Sequence, residues 1–436
     1  MLRVQMTGQR LQSMSGRGRQ GEGAMTHKMV TVLAVFFLTT GAWATTETVL
    51  WSFNPSNGGP FANDLTFDGV NFYGANWEGG NTAGCFNSCG TVFQLSPKSS
   101  GGWNETLLYS FDPVNVSDGS NPLGGLVRDK GGNLYGTTYN GGGSTNCDNG
   151  CGTVFKLTLS SNGWAETVLY RFTGGIDGGY PYSTLAMDQD GNLYGTAYAG
   201  GSMGLGTIYQ LSPGPGGNWT QTTLHSFTNS PDGSHPEGPV IIDKTGHLCG
   251  TTSQGGAYGY GSVYQLSRLV SGWSLRVLHS FNGNDGAFPA WVAVAVDQAG
   301  NLYGTSEAGG INDTGTVWEL IYSPTKQTYS EKVLHSFGPQ HGVDGNYPWA
   351  GVTINSDGIL YGTTSQGGTN NWGTIFALAL TNNGGWKESV LYSFTGLQDG
   401  GQPGGSLVNV SHHLFGIADG GGADFDGVVF EIAPVP

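Results

Sequence analysis

Only 16 of the 436 residues are Lys or Arg, and charged residues of both signs make up just 11% of the chain. So few cations, against 31 Asp and Glu and a net charge of −15, exclude a phosphate-backbone binder, because a surface of that sign repels nucleic acid. Sparse charge beside 12% aromatics also excludes a disordered charged tail. Long apolar runs are missing as well. The most apolar stretch, Met29 to Leu38, is too short to span a bilayer, so no transmembrane segment is expected. Catalytic signatures are equally scarce: no His-Glu-x-x-His, nucleophile elbow or phosphate loop occurs. No cofactor and no metal centre is expected.

What is abundant is glycine, 78 residues, placed at the ends of short apolar runs where hairpin turns need positive φ. A run of the Glu-Thr-Val-Leu-Tyr-Ser-Phe type begins at Glu47, Glu105, Glu166, Gln221, Leu275, Glu331 and Glu388, at spacings of 54 to 61 residues. Between these runs come a Leu-Tyr-Gly-Thr type run (Leu134 opens one) and a Gly-Thr-Val-Phe type run (Gly152 opens one). In the second unit, strands are expected at Gly125–Asp129, Leu134–Tyr139, Thr153–Thr158 and Trp164–Phe172, joined by turn residues such as Lys130-Gly131-Gly132-Asn133. Four such strands make an antiparallel meander apolar on both faces, and seven meanders bury those faces only when stacked around an axis. The fold expected is therefore all-β, a seven-bladed β-propeller over residues 45–436. The series opens on a fourth-strand run and closes on a third-strand run, Val428–Ile432, so the N-terminal strand should complete the last blade.

These recurring runs resemble the GloVer tandem-repeat proteins, over nearly all of residues 47–432. The resemblance implies a secreted, largely bacterial repeat protein, and it carries no general set of catalytic residues to this chain. A looser likeness to NHL and kelch propellers is architectural and transmits no function.

The N-terminus reads as an export signal over residues 25–44, with His27 and Lys28 before the apolar stretch and Ala42-Trp43-Ala44 as its cleavage site. Residues 1–24 match neither signal nor repeat and read as an extension from a misassigned start. A secreted location, extracellular or periplasmic, is expected. Four of the five cysteines fall in two close pairs, Cys85 with Cys89 and Cys147 with Cys151. In an exported chain these are expected as local disulfides. Cys249 takes the tyrosine slot of its repeat and is expected to be a buried, inert thiol.

Antiparallel order puts the loop from the fourth strand to the next blade on the same face as the second–third strand loop, where elaborated loops favour binding. On that face Asp-Gly-x-x-Pro recurs from Asp118/Pro122 to Asp399/Pro403. The carboxylates form either a turn motif or a ring able to hold Ca²⁺. Around the prolines, three blades carry aromatics that break the repeat: Tyr180 and Tyr182, Phe288 and Trp291, Tyr347 and Trp349. They are candidate platforms for sugar rings, with blade packing as the alternative. His235, in the same loop place, forms with Glu237 the one acid–base pair expected there. His225, His279 and His335 stand in a tyrosine slot and are expected to pack. The functions to be weighed are a binding module for a glycan or an extracellular protein partner, a polysaccharide-active enzyme, and a structural envelope protein. A monomer is expected.

Overall fold

A computed structural model describes residues 45–59, 64–80, 89–112 and 117–436. The expected signal peptide, the residues before it and Cys85 lie outside the described residues.

Seven antiparallel sheets follow one another along the chain, each built of four strands running from the axis outward, to which the seventh adds a short fifth. In the third blade these are Ala186–Met187, Leu193–Ala197, Thr207–Pro213 and Trp219–Ser226. The seventh blade is closed as expected: Thr46–Ser52 pairs antiparallel with Val428–Ala433. Innermost strands are shorter than the sequence suggests, two residues in each of the first six blades. Near the axis neighbouring blades converge, and backbone there turns from its own sheet toward the next blade.

Each residue of the repeated runs has a structural reason. In Leu134-Tyr135-Gly136-Thr137, Leu134 lies in the core between blades one and two. The Tyr135 hydroxyl donates to Asp129 of the preceding hairpin turn. Gly136 lies under the ring of Phe155, which would come within 2.6 Å of an added Cβ. Thr137 donates to the carbonyl of Ser183 in the next blade. Thr196, Thr251 and Thr305 make the same bond to Gly238, Pro289 and Ala350. The Gly-Thr-Val-Phe glycine and the loop proline are also a pair. Gly152, at φ 88°, would place a Cβ 2.6 Å from Cδ of Pro181. The expected strand-four tryptophans are structural: Trp103, Trp164, Trp219, Trp273 and Trp386, with Tyr329, pack against the inter-blade cores. Cys249 is wholly buried, and burial pushes its thiol up to about 12. Cys147 and Cys151 form the expected disulfide. Cys89 is disulfide-bonded, and its expected partner, Cys85, lies outside the described residues.

Candidate functional site

The Asp-Gly-x-x-Pro loops are held by their own aspartates. Asp177 accepts from the Tyr170 hydroxyl at 3.0 Å and from the Thr173 amide at 2.8 Å. Asp118 and Asp399 repeat this with Tyr109 and Tyr392. At the other three junctions His225, His279 and His335 replace the tyrosine and bond Asp232, Asp285 and Asp344. The aspartates thus anchor their loops, as the turn reading has it, and the three histidines fill the tyrosine slot as expected. Donor atoms of His279, Asp285 and Glu331 lie within 4.8 Å of one another. The tyrosine junctions do the same anchoring without a nitrogen ligand, so this trio is a variant of the loop anchor.

Just before each proline stands a residue that the loop forces into left-handed backbone. Asn121, Tyr180, His235, Phe288, Tyr347 and Gln402 all have φ between 53° and 58°. For non-glycine residues this costs about 1 kcal/mol each, offset by backbone bonds on both sides. The Tyr180 amide donates to the Cys151 carbonyl at 2.8 Å, and its carbonyl accepts from the Tyr198 amide at 3.1 Å. Five further junctions repeat the first bond, to Cys89, Leu205, Tyr260, Thr314 and Trp372. The result is a ring of side chains whose direction is set by the frame.

A second ring faces the first. It is the residue just after the second strand in the first six blades, Trp77, Tyr139, Tyr198, Ser253, Glu307 and Ser365, and Asp419 at the matching repeat position inside the longer strand His413–Gly420 of blade seven. The two rings meet unevenly. From blade one to blade four they form a continuous run of ring contacts, of which Tyr139 on Tyr180 is stacked and the rest are tilted or edge-to-face. Trp77 lies 5.5 Å from Tyr139, which lies 4.6 Å from Tyr180 and 4.8 Å from Tyr182. Tyr182 lies 5.4 Å from Tyr198, whose ring lies 4.7 Å from His235. Beyond it come the carboxyls. Glu237 accepts from the Ser253 hydroxyl at 2.9 Å, and burial, with a smaller push from Glu307, raises it to about 7. Glu307 is raised by burial, against a bond from the Trp349 indole at 3.3 Å. Trp349 meets Trp291 edge to face at 5.9 Å, and Trp291 is 38% exposed. Asp419, in blade seven, is 9% exposed with one carboxyl oxygen unpartnered, and burial pushes it up to about 8.

The expected residues are therefore only partly brought together. Tyr180, Tyr182, His235 and Glu237 share one sector, and Trp291 and Trp349 adjoin it through Glu307. Phe288 instead turns toward Tyr260, 6.0 Å away, and Tyr347 makes no ring contact among the described residues. His235 and Glu237 do not bond each other: the histidine rests on Tyr198, its Nδ1 is buried without a partner, and burial lowers its pKa. Sequence reasoning missed Trp77, Tyr139, Tyr198, Glu307 and Asp419. Their signal is the same broken symmetry, at the position that follows the Leu-Tyr-Gly-Thr type run and its next residue.

On the axis Asp64 of blade one accepts from the Thr184 hydroxyl of blade three and the Ser406 amide of blade seven, at 2.9 and 2.8 Å. A cavity of about 460 Å³ there is lined mainly by apolar first-strand residues such as Leu185, Val240, Ile242 and Leu407.

Comparison with known proteins agrees with this architecture. The Gloeobacter/Verrucomicrobia repeat matches the chain over residues 34–196, 144–348 and 320–435. Among solved structures, an ancestral GH74 enzyme superposes with a TM-score of 0.56 at 10% identity, covering 87% of this chain and 48% of its own. This chain thus spans about half the length of that enzyme, and the likeness is one of fold. A putative 6-phosphogluconolactonase from Bacteroides uniformis gives a TM-score of 0.47 at 12% identity, covering 74% of this chain and 84% of its own. No curated protein matches the sequence.

Proposed function

The chain belongs to the Gloeobacter/Verrucomicrobia repeat family, and from that premise we propose that it is an exported propeller that binds glycan chains on its Asp-Gly-x-x-Pro face. The observation that carries the reading is the run of aromatic contacts from Trp77 to His235, with Trp291 and Trp349 beside it. Other blades form the same antiparallel sheet with serine, glycine or leucine at the corresponding places, Ser365, Gly404 and Leu123, so the fold itself does not demand the aromatics. Aromatic faces with few charges suit the CH faces of pyranose rings. Export is supported by the Met25–Ala44 signal pattern and by the Cys147–Cys151 disulfide. Among the described residues no helix is long and apolar enough to cross a membrane.

A second reading, a polysaccharide-active enzyme, draws on one observation. Glu237 titrates near neutrality beside Glu307, which suits a general acid. One assay separates the two. The purified protein is passed over a panel of immobilised polysaccharides, scored for retention and for new reducing ends. Retention without new ends is the expected result. New ends abolished by Glu237→Gln select the enzyme, and no retention on any polysaccharide refutes glycan binding. The Trp291→Ala, Trp349→Ala double variant should lose about 1–3 kcal/mol of affinity, a roughly five- to 150-fold weakening.

A further inference from the structure

Between blades six and seven the same face holds a cavity of about 310 Å³, lined by Gln366, Asn370, Asn371, Trp372 and Gln402. Trp372 stands in the slot whose carbonyl anchors the left-handed residue of the next loop; it accepts from the Gln402 amide at 2.7 Å. Its indole lies flat on glycine backbone. A Cβ on Gly396 would meet three indole atoms at 2.2–2.4 Å, and one on Gly401 would meet the ring at 2.8 Å. The ring is therefore held rigidly from one side while 39% of the residue stays exposed. Among the equivalent slots Cys151 and Thr314 are buried, and Tyr260, though 40% exposed, lies farther from its glycine, 3.6 Å from a Cβ on Gly283. Around Trp372 the side-chain amides of Gln366, Asn370 and Gln402 have no hydrogen-bond partner among the described residues, whereas Asn371 accepts from the Gly367 amide. No charged side chain lines the cavity.

We propose that Trp372 and the surrounding carboxamides form a second subsite, for one neutral pyranose unit of an oligosaccharide. A preordered indole provides a stacking face with little ordering cost on binding. Three unpaired amides supply both donors and acceptors, which is what vicinal hydroxyls require. The absence of a lining cation leaves nothing to hold a uronate or phosphate. The cavity is at the small end of ligand sites, which span about 300–1,000 Å³, so it fits a single ring. The proposal shares with the glycan reading above only its ligand class.

The test is calorimetric titration with cellohexaose, xylohexaose and mannohexaose of the wild type, Trp372→Thr, Asn370→Ala and the Trp291→Ala, Trp349→Ala double variant. Thr314 already fills this slot in blade five, so Trp372→Thr is compatible with the fold, and Asn370 is exposed and unbonded. Thermal midpoints check both. Trp372→Thr and Asn370→Ala should each weaken the best-bound hexasaccharide, the former roughly three- to tenfold, and in the double variant the remaining affinity should depend on Trp372. Undiminished affinity in both single variants, with loss in the double variant, overturns the subsite and leaves the Trp291–Trp349 site standing. Loss in the single variants alone does the reverse. No binding of any hexasaccharide by the wild type overturns both.

Discussion

The junctions after blades two and six meet the same structural need in different ways. In the first, the Cys147–Cys151 disulfide sits on Gly174 and Gly179; a Cβ on Gly174 would meet both sulfurs at 2.7 Å. In the second, Trp372 sits on the equivalent Gly396 and Gly401. Both slots send a carbonyl to the next left-handed residue, Tyr180 or Gln402. The electrostatics differ as well. Beside Asp177 the outer strand of blade three carries Gln221, whose amide donates to the Asp177 carbonyl at 3.2 Å. Beside Asp399 the equivalent residue is Glu47, which burial, with Asp399 second, raises to about 7. The fold therefore requires the slot to be filled and the loop aspartate to be bonded. It does not specify by what, and that latitude is where function can enter.

The largest effect should come from removing the strand that only the second junction borders. Deleting Thr45 to Phe53 takes away the outer strand of blade seven, with Phe53 from the core, and should abolish cooperative unfolding, read by calorimetry. A truncation of residues 1–44 should leave the midpoint unchanged; equal midpoints for the two truncations would remove the closure argument. Next comes Gly396→Ala. At φ 73° with the indole in the way, it should cost about 2 kcal/mol, of which left-handed backbone accounts for about 1–2 kcal/mol. Urea titration should also show the Trp372 environment altered.

A smaller, pH-dependent effect sharpens the electrostatic half of the comparison. Because the folded pKa of Glu47 is raised from 4.5 to about 7, its contribution is fully present below pH 4.5 and is lost as pH rises through 7. Glu47→Gln, which copies Gln221, should therefore raise the thermal midpoint at pH 8 and change it little at pH 4. A variant less stable at pH 8 would contradict the argument. Glu166, Glu331 and Glu388 are raised likewise, chiefly by burial, so the whole protein should melt higher at pH 5 than at pH 8. Smallest is the disulfide. Its ring is short, so reducing Cys147–Cys151 should cost at the low end of the roughly 0–5 kcal/mol range, as a modest shift in urea midpoint.

The architecture was legible in the sequence because each repeated residue answers a contact that every blade must make, such as Gly136 beneath Phe155 or Thr137 bonded to blade three. The length of the inner strands was not, since it depends on convergence at the axis. The candidate site was half legible. Tyr182 and Trp349 announce themselves by departing from the repeat. Tyr139 and Glu307 depart from it equally, but which slot faces which across a junction is set by the stagger of one blade on the next. Phe288 shows the limit: it shares Tyr180's slot and backbone, yet its ring finds Tyr260 on the outer side.

The left-handed residue before each loop proline has a consequence for how such a protein changes over time. Its backbone is dictated by bonds that any residue but proline can make, and asparagine, tyrosine, histidine, phenylalanine and glutamine all occupy it here. Chain geometry and chemical identity are thereby uncoupled at that point. The ring works like movable type in a fixed frame: letters can be exchanged one blade at a time, and a new ligand preference can be spelled without recasting the propeller.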